Sequence, residues 1–324
     1  MKKIYTYIAL APIVSLALMP PIGMYVPFNN KVAWTWLVLL SAFAGFYTFF
    51  LKINPIIKVL TALCFINVLF SRAPMISQFA YMEMIGCVYL YWICRRIEDW
   101  SIVFNALWVI LAINILMLSL QMAGKDTLLN FGFYQSSCHG VVGNIMQFRS
   151  YMIVLIALLI QQYKPKKETL IKAGICAGII AISYFFAHRV FVSFMFARGP
   201  VWIETVRLGM EHPFIGWGIG TYKAIFASIA QYCHPATVTE GRWMSAHSEW
   251  LQMMFEVGIP GYLLLCGLAI NLLMKCRGVL LFGALLVGFT MSVHFPMRTT
   301  QIVPLLILFV AYIERENYGL TKQN

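Results

Sequence analysis

Apolar runs near the length of a bilayer crossing, about 20 residues, recur along almost the whole chain with no polar linker between them. A chain patterned in this way has few folds open to it. The composition points the same way: 61% of residues are hydrophobic, 11% are charged and the mean hydropathy is +0.78. A soluble chain carries roughly twice that charged fraction. The expected fold is all-α, a polytopic bundle of membrane-spanning helices forming a single domain over residues 1–324.

About ten spans are predicted, each an apolar run bounded by charge or proline. They cover 4–26, 33–51, 56–71, 74–94, 101–122, 146–163, 169–187, 249–274, 279–294 and 300–314. The first begins behind Met1-Lys2-Lys3 and lacks a small-x-small cleavage site, so it reads as an uncleaved helix. Basic residues set the orientation, because cytoplasmic loops retain lysine and arginine. With the N-terminus inside, 14 of the 24 basic residues fall on the inner side, including Lys2, Lys3, Arg95, Arg96, Lys275 and Arg315. Both termini are then expected in the cytoplasm, and residues 188–248 form an extracytoplasmic loop of short helices. The net charge of +12 is mostly this topology signal. Its basic residues are spread over many loops, which argues against a nucleic-acid partner.

Several chemistries lack their residues. The chain has no H-E-x-x-H, G-x-S-x-G or P-loop. It has only two aspartates, Asp99 and Asp126, and no Asp-x-Asp, so a carboxylate cage for a divalent metal is not expected. The eight cysteines include no C-x-x-C pair; Cys138 and Cys233 both map to outer loops, where oxidation can join them.

What polar chemistry the chain has is concentrated between Arg189 and Leu251. Arg198-Gly199-Pro200 precedes a helical stretch expected from Val201 to Glu211, with proline near its first position. Free N–H groups at such a start, beside an arginine, suit an anion. The other reading of Arg198 is an interfacial anchor that snorkels to water. Arg189 reads either as an anchor or as a second phosphate ligand. Arg207 has Glu204 three residues before it and Glu211 four after it, which predicts a local ion-pair ladder. From His212 the chain runs through Gly216, Gly218 and Gly220, alternating glycines that can aim N–H groups at an anion or simply make a tight turn. His247 stands where the eighth span enters from outside, as a proton acceptor or a structural histidine. Glu256 lies deeper, facing the interior or a wet cavity, or bonding backbone groups freed at the break Gly258-Ile259-Pro260-Gly261.

Three pieces therefore occur in order: R-x-x-x-W at Arg198 and Trp202, H-P-x-x-G-x-G-x-G from His212 to Gly220, and H-S-x-x-L-x-x-x-x-E-x-G-x-x-G from His247 to Gly261. With the glycine–asparagine run ending at Asn144, they resemble the O-antigen ligase and polymerase superfamily of membrane glycosyltransferases. The resemblance covers roughly residues 138–270. It implies transfer of a glycan from an undecaprenyl-diphosphate carrier to an acceptor hydroxyl on a glycan, glycolipid or protein. The reaction is expected on the periplasmic face of a bacterial inner membrane, with neither metal nor cofactor. Carried over, the resemblance makes Arg198 the second essential arginine and His247 the essential histidine. Arg189, nine residues before Arg198 rather than well upstream, is the nearest candidate for the first. Substrate contacts are expected from Trp202, His212, Gly216, Gly218, Gly220, Asn144 and Glu256. Arginines holding a diphosphate leaving group can do the work a metal does elsewhere. A polymerase of the same superfamily and a flippase for lipid-linked glycans are the alternatives; a flippase needs charges along a path through the membrane, and only Glu83 and Glu256 lie deep in predicted spans.

Overall fold

The computed structural model describes residues 2–17, 53–123, 145–160, 188–233, 245–276, 279–293 and 302–321. Among them are ten helices and no strand: α1 (Lys2–Ala17), α2 (Pro55–Phe70), α3 (Pro74–Cys94), α4 (Trp100–Met122), α5 (Ile145–Ile160), α6 (His188–Gly209), α7 (Tyr222–Cys233), α8 (Glu249–Lys275), α9 (Val279–Val293) and α10 (Val303–Thr321). Most bounds fall within a few residues of the apolar runs, for a local reason. Asn54 caps α2 through a 3.0 Å bond from Ile56 N, with Pro55 at the first helical position. Pro74 starts α3, and Asp99 caps α4 by accepting from Ser101 N at 3.1 Å. The predicted spans 33–51 and 169–187 lie outside the described residues.

Two helices, Trp100–Met122 and Glu249–Lys275, are long and apolar enough to cross a bilayer; other apolar helices, such as Pro55–Phe70, are shorter. The surface of α4 explains why water does not suit it. Val103, Phe104, Leu107, Ile110, Leu111 and Leu118 are buried at helical spacing. Yet its outer face is also apolar, with Val109 58% and Leu116 59% exposed. A helix hydrophobic all round needs protein on one side and lipid on the other. On α8, Leu263 and Met274 are likewise exposed.

The core packs α1, α3, α4, α5 and α10 around Leu107, Ile110, Tyr151, Leu155, Leu305 and Leu308. One end of the bundle is tied by a buried carboxylate. Glu314 accepts from Asn54 Nδ2 at 3.1 Å and from the Tyr91 hydroxyl, and pairs with Arg95 Nε at 3.2 Å and Lys275 Nζ at 3.5 Å. This gathers the start of α2, the end of α3 and the end of α8. The opposite ends of these three helices meet at the other end of the bundle, where the glycine-rich segment lies.

Candidate functional site

Helix α6 runs unbroken from His188 to Gly209 with Pro200 inside it. The expected helix start at Val201 is therefore not there, and Arg198 has no helix N-terminus beside it. Pro200 removes one helix hydrogen bond without ending the helix. Arg198 does not snorkel either: it is only 1% exposed. Burial pulls its guanidinium down to about 10, still cationic at neutral pH. The continuous helix also separates the two arginines. Nine residues place Arg189 about 13.5 Å along the axis and half a turn round from Arg198. Which of the two readings of Arg189 holds, interfacial anchor or second phosphate ligand, turns on a side chain outside the described residues. The ladder around Arg207 is present: Glu204 at 2.6 Å and Glu211 at 3.0 Å.

Trp202 stands one turn beyond Arg198 on the same face of α6. Its indole Nε1 donates to Ala246 O at 2.8 Å. That bond fixes the residue before His247. Ala246 N donates to Gln252 Oε1 at 3.2 Å, and Ser248, on the other side of His247, caps α8 by accepting from Leu251 N at 3.5 Å. Clamped from both sides, His247 takes φ +51°, a left-handed conformation uncommon outside glycine. Such local strain persists only where the surroundings impose it. The imidazole is pushed down to about 3, first by burial and then by the charge of Arg198. Arg198 and His247 therefore act on one another, and the ring is neutral at pH 7. The N–H of Trp202 is engaged by the histidine loop, so this group positions rather than reaches outward.

The glycine-rich segment is keyed into the bundle instead of open to a ligand. Gly216 N donates to His212 O at 2.8 Å, Trp217 N to Phe255 O at 3.0 Å and Gly218 N to Glu256 O at 2.9 Å. Ile219 N donates to Asn67 Oδ1 at 2.6 Å and Gly220 N to Glu256 Oε2 at 2.9 Å. Every amide from 216 to 220 is thus engaged within the protein, and the reading in which they cradle an anion is corrected: they hold the turn itself. Gly218 has φ +123°, and a Cβ there would lie 2.1 Å from Ser71 Oγ, in the corner between α2 and α3. Gly258, φ +77°, kinks α8 so closely against the loop that a Cβ would lie 2.7 Å from Pro213 O. Ile259 N, next to the kink, donates to Pro213 O at 2.7 Å. The two glycine motifs of the sequence are the two halves of this contact.

Glu256, fully buried, is the hub. Besides Gly220 N, its carboxylate accepts from Gln252 Nε2 at 2.9 Å and Tyr222 N at 3.4 Å. Gln252 therefore joins the histidine loop to the carboxylate that holds the glycine turn. The Tyr222 hydroxyl lies 2.7 Å from Thr205 Oγ1 on α6, which closes a ring of polar contacts among α6, α7 and α8. Trp217 adds an apolar seal: its ring stacks on Phe255, meets His212 edge-on at 4.3 Å, and donates Nε1 to Leu208 O at 2.8 Å. His212 is thus placed against the turn. Asn144 and Cys138 lie outside the described residues, as do the side chains of Arg189 and Cys233.

Two residues that organise the site were not singled out in the sequence, Gln252 and Asn67. Asn67, 1% exposed in α2, donates to Ile215 O at 2.5 Å and Glu256 O at 3.0 Å while accepting from Ile219 N. The available signal was a lone asparagine in the apolar run 56–71, since polar groups in spans turn inward to partners.

The fold and site define a helical membrane protein with a buried arginine and a half-buried histidine at one end of its bundle, beside a keyed glycine turn. Residues 141–266 match the family described as O-antigen ligase, a stretch of well under half the chain, and over that stretch the chain is similar to it. No curated protein matches the chain.

Proposed function

We propose that this protein is a multi-pass glycosyltransferase of ligase type. It moves a glycan from an undecaprenyl-diphosphate carrier to an acceptor hydroxyl on the outer face of a bacterial inner membrane. Both termini are cytoplasmic, about ten spans form one domain over residues 1–324, and residues 188–248 lie outside. Arg198 holds the diphosphate. The acceptor oxygen attacks the anomeric carbon, the carbon–oxygen bond to the carrier breaks, and carrier diphosphate leaves with the electron pair while His247 takes the hydroxyl proton. A neutral imidazole is the form that can accept it. An anionic diphosphate beside Arg198 offsets the charge that depresses His247, so the base strengthens when donor is bound.

The observation that supports this reading most is the mutual placement of Arg198 and His247, where burial and the arginine charge keep the imidazole neutral. Trp202, Glu256 and the turn of Gly216, Gly218 and Gly220 serve as the frame of the pair. The test is glycan transfer in membranes by Arg198→Lys and His247→Ala. Removing a group matched to developing charge lowers kcat roughly 100- to 1,000-fold. Transfer by both variants at the wild-type rate, at equal protein levels, overturns the assignment.

A further inference from the structure

We propose that Asn67 is a positioning residue for this reaction, a transmembrane staple that sets the Arg198–His247 pair from outside the matched stretch 141–266. The inference rests on the function proposed above. Asn67 is a buried residue of α2, and its carboxamide uses both ends. Its NH2 group donates to the carbonyls of Ile215 and Glu256, and its oxygen accepts from Ile219 N. Those partners belong to the two keyed halves, the glycine turn and the kinked part of α8. The turn is bonded onward to α6, which bears Arg198, through Trp217 and Leu208 O. The kinked part of α8 is bonded onward to the loop before His247, through Glu256, Gln252 and Ala246 N. One side chain thus spans the joint between the element carrying the cation and the element headed by the base. Loss of a buried donor pair leaves two carbonyls without that partner, so the joint is expected to reset rather than merely loosen.

The experiment compares Asn67→Ala and Asn67→Ser with wild type and with Asn114→Ala in membranes, each normalised to folded protein. Asn114 is equally buried in α4 but bonds to Ile110 O of its own helix and to the Tyr151 hydroxyl, away from the site. Two quantities are read: kcat and donor KM for glycan transfer, and the rate at which diethyl pyrocarbonate modifies His247 at pH 7, mapped by mass spectrometry. The expected result is a kcat at least tenfold lower in Asn67→Ala with KM within threefold, partial recovery in Asn67→Ser, and a His247 modification rate changed at least threefold. Asn114→Ala is expected to change neither. Wild-type kcat and wild-type His247 reactivity in folded Asn67→Ala or Asn67→Ser overturn the proposal. If wild type itself transfers no glycan, the function proposed above fails, while His247 reactivity still decides the role of Asn67.

Discussion

The indole of Trp202 and the backbone of Ala246 meet at 2.8 Å, and this one bond lashes the helix of Arg198 to the loop of His247. It gives the R-x-x-x-W spacing a physical meaning: four residues bring the tryptophan onto the face of the arginine, one turn along. Trp202→Phe keeps the ring and removes the donor. It is expected to cost about 1 kcal/mol of stability and to slow transfer roughly tenfold, since about 1.4 kcal/mol of barrier is a factor of ten. Thermal unfolding in detergent and initial rates in membranes check the two effects.

Gly218→Ala tests the keyed turn. The added methyl carbon meets Ser71 Oγ at 2.1 Å in a conformation, φ +123°, that side chains rarely adopt. Overpacking of this kind costs about 1–3 kcal/mol. A lowered Tm is expected, and Gly218→Ala combined with Ser71→Ala should recover part of it, because the oxygen in the way is then gone.

The histidine makes stability depend on pH in a defined direction. Its folded value, about 3, lies below the ordinary 6.5. Between these values the unfolded chain binds more protons than the folded one, so stability is fully present above about pH 6.5 and falls as pH is lowered toward 3. His247→Gln should flatten that part of the profile. Thermal unfolding of both proteins from pH 7 to pH 4 measures it.

Glu314 separates fold from function. Glu314→Gln removes the negative charge between Arg95 and Lys275 at the end of the bundle opposite the glycine turn. Stability is expected to drop by roughly 1–3 kcal/mol, with transfer per folded molecule unchanged. Quantified unfolding beside specific activity distinguishes the two.

The helices were legible where local chemistry ends them. The run 74–94 is α3 from Pro74 to Cys94, and 249–274 is α8 to within one residue, because proline, charge and a serine cap act at short range. Arg198-Gly199-Pro200 misled for the same reason: a proline that suits a helix start also fits inside α6, and only the longer context decides. Glu256 was recognisable as an inward carboxylate beside a kink. Its partners, Gly220 N and Tyr222 N, are more than thirty residues away, and the amide next to the kink, Ile259 N, goes to Pro213 O. Asn67 reaches Ile215, 148 residues along the chain, a pairing that no local pattern encodes.

The most direct measurement is a double-mutant cycle on glycan transfer with Arg198→Lys, His247→Ala and the two combined. Groups that act as a unit lose their effects non-additively. If the arginine and the imidazole serve one reaction centre, the combined variant transfers no more slowly than the slower single variant. Losses that multiply would place them in independent roles and contradict the shared site.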